Sequence, residues 1–445
     1  MALPVIAVFD IGKTNKKFFL FDKNLQEIKE EYIKIPQIKD EDGDECEDLH
    51  ALSQWVLENV RTVAASREYT LLGVNFSTYG ASLVHLDGRG QPVSPLYNYL
   101  KPFPEELQDE FYAKYPETEI NLATASPTLG MLNSGLQLYW LKKRKPETFR
   151  QIRHSLHLPQ YVSFLISGEA VSEPTSIGCH TKLWDFTKQD YHEWVQKEGI
   201  ASLLPAIVPT DSRFTREIGG HPVKVGVGIH DSSAALASYL FRIREPFLLI
   251  STGTWSISLN PFSEENLSFS DLENDCLSYL SVQGKMVRAS RFLLGYELDH
   301  QLAILNKIFN KPESYYKTVV PDENIMDAIV GGELENSFYP ARVAGTPVVR
   351  GLFPEDNWKP ESCANYEEAY HQMIWGLVRI QVAFLELARG NSPAKKVYVD
   401  GGFIHNQVFI RLLRHFLKGY EVETADFPLG SAYGAALMLG DFTDE

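Results

Sequence analysis

The sequence has few cysteines and no long hydrophobic run. Its four cysteines, Cys46, Cys179, Cys276 and Cys363, are widely scattered and form no CxxC pair. This spacing argues against a disulfide framework or a paired-cysteine zinc site and is typical of reduced thiols. No apolar stretch approaches the roughly 20 residues that cross a bilayer. The first apolar run follows Met1 so closely that we expect no signal peptide, and we predict a cytoplasmic protein with no membrane partner.

Positive charge is also in short supply. The chain has 42 Lys and Arg against 58 Asp and Glu, a formal net charge of −16 at pH 7. This balance disfavours binding to nucleic acid or to an anionic membrane. With 445 residues and 44% hydrophobic content, the chain can form two or three domains with full cores. A phosphate site in such an acidic protein must depend on local donors.

A polar loop near the start supplies such donors. It lies between two apolar runs, Val5 to Phe9 and Phe18 to Phe21, which predict the strands of a hairpin. Glycine lets a ligand approach the backbone closely, and hydroxyls, amides and lysines add donors. Asp10 ends the first run, where a carboxylate could hold a hard cation. The alternative is an ordinary polar hairpin. The residues we expect around a polyphosphate are Gly12, Lys13, Thr14, Asn15 and Lys17.

A second hairpin of the same kind opens the second half of the chain. Phe247 to Ile250 and Trp255 to Leu259 predict strands, and Thr252, Gly253 and Thr254 lie between them. Two similar hairpins predict duplicated halves that serve one phosphate chain. We place the linker between the halves near Leu240 to Pro246, which gives domains 1–240 and 241–445.

Alternating strands and helices predict an α/β fold. Val223 to Gly228 predicts a strand, and Asp231 follows shortly before a run of small residues that indicates a helix start. A carboxylate there can cap the helix or project into a cleft, because ligands of open α/β sheets gather at the carboxyl ends of strands. His230 has the same two interpretations.

Taken in order, these residues resemble the FGGY family of carbohydrate kinases over essentially the whole chain. Two segments depart from the family pattern. Gln137 stands where many members have Lys, and Lys13, Thr14 and Asn15 replace a commoner small-residue pattern. The segments that carry the resemblance are Asp10-x-Gly12-x-Thr14 with Lys17, Leu158 to Glu169 with Glu173-Pro174-Thr175, His230-Asp231, Thr252-Gly253-Thr254, Gly401-Gly402 with Asn406, and Ala432 to Ala436.

The resemblance implies two duplicated actin-like, ribonuclease-H-like domains with a cleft between them. The first domain would bind the sugar and the second the nucleotide, and a homodimer is the family expectation. ATP and Mg²⁺ are the implied cofactors, with Asp231 as the catalytic base and Asp10 and Asp231 near the metal. The implied adenosine-binding residues are Gly295, Gly401, Gly402 and Asn406. The implied sugar-binding residues are Tyr79, Gly80, His230, Asp231 and Trp255, with Tyr99 as a further wall.

The segments at His230 and at Thr252 are most similar to the L-rhamnulose and L-fuculose kinase branch. That similarity implies a small 6-deoxy ketose that is phosphorylated on its primary hydroxyl. Three alternatives remain open: a kinase for another acceptor such as L-rhamnose, xylulose or a polyol, a non-catalytic actin-like nucleotide-binding protein, and a sugar sensor. Acceptor choice depends on the shape of a pocket, which a sequence does not give.

Overall fold

The computed structural model describes residues 2–332, 334, 338–356, 358–425 and 430–440. The strands of its first part are β1 (Leu3–Ile11), β2 (Lys16–Phe21), β3 (Glu27–Ile33), β4 (Ile38–Lys39), β5 (Glu45–Cys46), β6 (Tyr69–Thr78), β7 (Leu83–Leu86), β8 (His154–His157), β9 (Trp184–Asp185), β10 (Asp190–Tyr191), β11 (Arg213–Ile218), β12 (His221–Gly226) and β13 (Ile229–His230). The later strands are β14 (Phe247–Thr252), β15 (Ser256–Asn260), β16 (Cys276–Leu280), β17 (Met286–Phe292), β18 (Lys396–Gly401) and β19 (Glu421–Thr424).

The helices follow the same order. Those before residue 244 are α1 (Leu49–Ala64), α2 (Glu105–Lys114), α3 (Glu117–Ala123), α4 (Ser134–Arg144), α5 (Pro146–Gln151), α6 (Leu158–Ser167), α7 (Pro174–Ile177), α8 (Glu193–Lys197) and α9 (Asp231–Leu240). The later ones are α10 (Phe269–Glu273), α11 (Leu294–Ile308), α12 (Glu323–Val330), α13 (Pro347–Leu352), α14 (Tyr366–Arg389), α15 (Gln407–Phe416) and α16 (Gly430–Leu437).

The described residues separate into two compact units, and the chain crosses between them more than once. The first unit contains described residues of Met1–Arg244, Ser278–Met286 and Pro428–Glu445, and the second contains those of Glu245–Leu277 and Val287–Phe427. The first crossing therefore falls inside the linker predicted from Leu240 to Pro246. The two later segments of the first unit were not part of the predicted division at 240.

The first unit is built on a mixed sheet with the order β11-β12-β6-β1-β2-β3, and β13 also pairs with β6. β1 runs parallel to β6 and antiparallel to β2, which is antiparallel to β3. β12 and β13 run parallel to β6. Val5 to Phe9 in β1 are fully buried, as expected for a central strand that is covered on both faces.

The second unit repeats this arrangement. Its strands β17, β15, β14, β18 and β19 lie in that order. β14 is antiparallel to β15 and parallel to β18, β15 is antiparallel to β17, and β18 is parallel to β19. The pairings of β3, β2, β1, β6 and β12 have the same order and directions. The predicted duplication of the fold is therefore confirmed, and each polar hairpin joins the first two strands of its sheet.

Helix positions follow the apolar pattern closely in two cases. Apolar residues at helical spacing predict a helix from Leu49 to Val63. The structure has α1 there, which buries Leu52, Val56 and Val60. The largely apolar stretch from Ala369 to Arg389, followed by Gly390 as a C-cap, predicts a long helix. This helix is α14, and Gly390 ends it with a positive φ of 53°. A glycine tolerates that conformation without a Cβ clash.

One predicted helix begins later than the sequence pattern indicated. The sequence from Arg291 to Phe309 predicts a helix, but Arg291 lies in β17, opposite Ile257 of β15. α11 begins at Leu294. Pairing with β15 continues to Phe292, so these residues belong to the strand and not to the predicted helix.

The charged stretch from Lys39 to Asp48 predicts a solvated loop, but the structure differs from this prediction. It contains the short pair β4 and β5, and the Lys101 ammonium lies against three of its carboxylates. The distances from Lys101 Nζ are 2.7 Å to Asp40, 3.0 Å to Asp42 and 2.6 Å to Asp44. The lysine side chain is only 5% exposed. An internal cation therefore orders this acidic segment.

The last helix, α16, belongs to the first unit. Ala432 and Ala435 are fully buried in a cluster with Ile6 and Val8 of β1. The side-chain amide of Asn75 in β6 donates to the Ala435 carbonyl at 2.7 Å. The small residues of this segment therefore serve close packing of a helix on the sheet.

α16 also packs closely on α9. A Cβ added at Gly434 would lie 1.8 Å from the carbonyl oxygen of Ala234. Only glycine fits at this crossing, and α9 begins at Asp231. Within the described part of the chain, no helix is both long enough and apolar enough to span a membrane.

Candidate active site

The hairpin between β1 and β2 presents the first polar loop. The Gly12 N–H donates to the Asn15 carbonyl at 2.9 Å and closes the turn. A Cβ at Gly12 would lie 3.0 Å from that same oxygen, a tight contact. Thr14 and Asn15 are exposed at the tip. The loop thus offers a hydroxyl, an amide and backbone N–H groups, which are donors that a phosphate can use.

The ammonium of Lys13 is held away from the loop tip. Its Nζ lies 3.3 Å from Glu47 Oε1. It also lies 5.3 Å from the centre of the Tyr79 ring and 5.1 Å from that of Tyr99. Burial lowers the pKa of Lys13, and the charge of Glu47 opposes this shift.

Two further lysines of the loop are also paired. Lys16 Nζ lies 3.0 Å from Glu47 Oε2, and both side chains are 2% exposed. Lys17 Nζ donates to Glu30 at 2.7 Å. Carboxylates therefore engage the ammonium groups of both Lys13 and Lys17, and the phosphate contact of these two lysines stays a prediction.

Two carboxylates of the first unit influence each other. Asp10 lies near the end of β1, and Asp231 follows β13 at the start of α9. Burial and then the negative charge of Asp231 raise the pKa of Asp10 to about 6, although the charge of Lys17 opposes the shift. The Ser232 N–H donates to Asp231 Oδ1 at 2.6 Å, and the aspartate side chain is 35% exposed. The two predicted metal-binding carboxylates are therefore neighbours.

His230 forms a buried wall beside Asp231. Its Nε2 lies 3.3 Å from Asp231 Oδ1 and 3.3 Å from Cys179 Sγ. Burial lowers the pKa of His230, so the imidazole is neutral at pH 7. A Cβ added at Gly80 would lie 2.9 Å from the His230 ring, which explains the glycine there. Tyr79 is buried next to it.

Sequence reasoning missed two residues of this region, Cys179 and Glu47. Each lies far along the chain from its partner, and Cys179 and His230 are separated by 51 positions in the sequence. No local motif pointed to either of them. Gln137, which departs from the family pattern, is fully buried and donates to the carbonyls of Ala81 and Met131 at 2.7 Å each.

The second polar loop lies in the second unit. The Gly253 N–H donates to the Trp255 carbonyl at 2.8 Å, and Gly253 and Thr254 are exposed. The Thr252 hydroxyl is occupied, because it donates to the Asp400 carbonyl at 2.6 Å. Gly253 and Thr254 are thus the exposed part of this loop.

Two of the predicted adenosine-binding glycines contact this loop. A Cβ at Gly295 would lie 2.5 Å from the Gly253 carbonyl oxygen, and one at Gly401 would lie 1.9 Å from that of Thr252. Gly401 also has a φ of +86°. Gly402 follows at the start of a short 3₁₀ turn, Gly402–His405. The second unit therefore gathers these glycines around its polar loop.

Asn406 and Trp255 have identified neighbours within the second unit. The Asn406 side chain accepts from the Phe409 N–H at 3.1 Å and donates to the Tyr370 hydroxyl at 2.9 Å, so it caps α15. Trp255 is 39% exposed, and the Arg291 guanidinium lies 5.0 Å from its ring centre. Among the predicted sugar-binding residues, Trp255 lies in the second unit, and the others lie in the first.

The donors of the first unit can be compared with those that Mg²⁺ prefers. Within the described ranges, no group of three or more His, Cys, Asp or Glu side chains is arranged to hold a metal ion. Mg²⁺ commonly uses one or two carboxylates, several waters and the phosphates of a substrate. Asp10 and Asp231, whose carboxylate charges interact, fit that mode.

Comparison with known proteins agrees with this architecture. Residues 5–230 match the N-terminal domain of the FGGY family of carbohydrate kinases, and residues 244–445 match the FGGY C-terminal domain. A carbohydrate kinase from Novosphingobium aromaticivorans has a similar structure, with a TM-score of 0.83 and 22% identity over 99% of this chain and 92% of that one. Ligand-bound xylulose kinase from Lactobacillus acidophilus has a TM-score of 0.78 and 14% identity over 98% and 89%.

A partial sequence match links the chain to curated relatives. It is 24% identical to the rhamnulokinase of Halalkalibacterium halodurans over 256 residues, 56% of this chain and 52% of that protein. The match thus spans about half the length of this relative. Because the two family domains together cover nearly the whole sequence, the chain belongs to the FGGY family of carbohydrate kinases.

Proposed function

We propose that the protein transfers the γ-phosphoryl group of ATP to a sugar hydroxyl, with Asp231 as the general base. The carboxylate of Asp231 carries this proposal. Its Oδ1 accepts from Ser232, and no described residue donates to its Oδ2. One oxygen is thus held in place while the other remains available to accept a proton from the acceptor.

The reaction follows from what these residues can do. The acceptor hydroxyl attacks the γ-phosphorus, and Asp231 takes its proton as the bond to the leaving ADP oxygen breaks. His230 is neutral, so it does not cancel the negative charge of the base. Backbone N–H groups and hydroxyls at Thr14, Gly253 and Thr254 donate to phosphate oxygens. Positioning and charge stabilisation supply most of the acceleration in such transfers.

Mg²⁺ would lie near Asp10 and Asp231 and neutralise charge on the phosphates of bound ATP. Burial first and the charge of Asp231 second raise the pKa of Asp10, and a bound cation would offset both effects. Gly295, Gly401 and Gly402 would line the adenosine site. The first two let the backbone pack against the second loop, and nothing lies within 4 Å of a Cβ at Gly402.

The acceptor that we favour is a 6-deoxy ketose such as L-rhamnulose or L-fuculose, phosphorylated on its primary hydroxyl. The partial match to rhamnulokinases supports this choice. Tyr79 and Tyr99, with ring centres 6.0 Å apart, would form an aromatic wall for the sugar. L-rhamnose, xylulose and polyols are the alternatives.

Coupled measurement of ATP turnover against a sugar panel tests this function. The panel contains L-rhamnulose, L-fuculose, L-rhamnose, xylulose and glycerol, and NMR of the product identifies the phosphorylated hydroxyl. We expect one 6-deoxy ketose to raise ATP turnover far above its rate without sugar. Equal turnover with and without every sugar would contradict the kinase proposal.

Replacement of the base gives the first specific prediction. Asp231→Asn should lower turnover by roughly 10²–10⁴-fold and leave ATP affinity nearly unchanged, since only proton acceptance is removed. Asp87→Asn is the matched control, because Asp87 also accepts backbone N–H bonds, from Arg89 and Gln91, in an exposed turn. Near-normal turnover of Asp231→Asn would show that Asp231 is not the general base.

A further inference from the structure

A buried carboxylate lies behind the segment that carries Asp231. Glu173 is 0% exposed. Its Oε1 accepts from the Thr175 hydroxyl at 2.6 Å and from the Ser176 N–H at 2.6 Å, and its Oε2 accepts from the Thr175 N–H at 2.8 Å and from the Thr210 hydroxyl at 3.0 Å. Among the described residues, no Lys or Arg forms an ion pair with it. Four neutral donors therefore replace water around this charge.

The carboxylate fixes the direction of the Thr175 hydroxyl. A hydroxyl has one proton and two lone pairs. Because a carboxylate can only accept, Thr175 must give its proton to Glu173. A lone pair of the same oxygen then accepts from the His230 N–H at 3.0 Å. The hydrogen bonds run in one direction, from His230 through Thr175 to Glu173.

The short helix α7 holds His230 at two points. Thr175 at its start binds the His230 backbone, and Cys179 just beyond its end lies 3.3 Å from His230 Nε2. His230 ends β13, a two-residue strand, and immediately precedes Asp231. The contacts of α7 therefore position the backbone immediately before Asp231, the first residue of α9.

We propose that Glu173 is a positioning residue for Asp231 and acts through the Thr175 hydroxyl. This inference rests on the proposed function, in which Asp231 is the base. Glu173 touches neither Asp231 nor a substrate. It orients the hydroxyl that anchors the backbone before the base, and a small displacement there moves the carboxylate away from the acceptor.

A cap for α7 is the competing explanation, because Glu173 also accepts from the N–H groups of Thr175 and Ser176. Thr175→Val and Thr210→Val separate the two roles. Each variant removes one hydroxyl donor from the same carboxylate, at similar volume, and leaves the cap intact. Only Thr175→Val also leaves the His230 N–H without its acceptor.

We expect Thr175→Val to lower kcat by about 10- to 100-fold, with the KM for ATP within about twofold of wild type. Thr210→Val should show a similar loss in melting temperature and nearly normal kcat, and Thr175→Ser should restore most of the activity. Equal kcat losses in the two valine variants, or no recovery with serine, would overturn the proposal.

Hydrogen–deuterium exchange gives a readout that does not need a substrate. The peptide spanning β13 and the start of α9 should exchange faster in Thr175→Val than in Thr210→Val. If Thr175→Val exchanges faster as expected while the wild-type protein phosphorylates no sugar, the result would support the anchoring contact and would contradict only the proposed function. Equal exchange in both variants would contradict the anchor itself.

If Thr175→Val does not fold, Thr175→Ser and Thr175→Cys provide the same comparison. The two side chains have similar volume, but a thiol is a much weaker hydrogen-bond partner than a hydroxyl. We expect near wild-type kcat with serine and a loss with cysteine. Equal kcat in both variants would overturn the proposal.

Discussion

Among single residues, Lys13 shows how a buried carboxylate can redirect a side chain. Its ammonium lies beside Glu47, which also pairs with Lys16. Lys13→Met should therefore destabilise the fold by roughly 1–3 kcal/mol, because Glu47 keeps only one cationic partner. ATP affinity should change less than about twofold. Thermal unfolding and calorimetric titration with ATP measure the two effects.

Lys17→Met is the matched control for Lys13→Met. Lys17 pairs with Glu30 where both side chains are more than a third exposed, and such surface pairs contribute about 0–1 kcal/mol. A large loss of ATP affinity in Lys13→Met at unchanged stability would show that Lys13 binds a phosphate of ATP.

Glu198 gives a prediction on pH. Its side chain is 3% exposed and pairs with Lys114 and Lys142. Burial raises the pKa of this carboxyl, but hydrogen bonds from Lys114, Lys142 and Tyr115 outweigh burial and lower the pKa to about 2. A depressed folded pKa stabilises the protein above the ordinary pKa of glutamate, and this stabilisation is lost as pH falls through the folded value.

The difference in melting temperature between wild type and Glu198→Gln should therefore be largest above about pH 5. It should shrink as the pH approaches 2. Melting curves of both proteins across this range provide the test. A difference in melting temperature that stays constant with pH would show that the partners of Glu198 do not lower its pKa.

At the scale of elements, the contact between α16 and α9 depends on one glycine. Gly434→Ala would place a Cβ against the Ala234 carbonyl, and overpacking of this kind costs about 1–3 kcal/mol. Because Ala234 lies one turn after Asp231, kcat should fall as well. Melting temperature and turnover measure these effects.

Gly351→Ala is a control in another helix, α13. Nothing lies within 4 Å of a Cβ at Gly351. Alanine is a better helix former than glycine by about 1 kcal/mol, so this variant should be neutral or slightly stabilised. Similar behaviour of the two alanine variants would show that α16 can move away from α9 at little cost.

The elements that sequence could predict are those with a local pattern. The apolar run Val5 to Phe9 indicated β1, and the periodicity from Leu49 to Val63 indicated α1. The two polar hairpins indicated the duplication that the sheets confirm. Each of these signals lies within a stretch of adjacent residues, where period and turn chemistry are visible.

What sequence could not give is the partner of a side chain from a distant segment. The position of Lys101 against Asp40 depends on the tertiary fold, as does that of Cys179 against His230. The sequence motif that resembles the family contains Glu173 and Thr175. The hydrogen bond from His230 to Thr175 forms only because the fold places α7 beside β13. Long-range contacts of this kind have no periodic signal in a sequence.

For the whole molecule, the discontinuous first unit leads to a prediction on truncation. A chain that ends at residue 425 lacks α16, which covers Ile6 and Val8 with buried alanines. We expect this chain to be insoluble or to melt far below wild type, since an apolar face of the central sheet is exposed. A chain that ends at 440 keeps α16 and is the control. Wild-type stability of the shorter chain would contradict the assigned role of α16.

The same discontinuity constrains the order of events on the ribosome. The segment Met1–Arg244, which contains β1, leaves the ribosome first. The helix that covers β1 is α16, and most of the second unit is synthesised between Arg244 and α16. At about 5–20 residues per second, this gap corresponds to roughly ten to forty seconds of translation. During that time the apolar face of β1 that α16 will cover is exposed in the nascent chain. The amount of native protein in a cell should therefore depend on chaperones that bind this face.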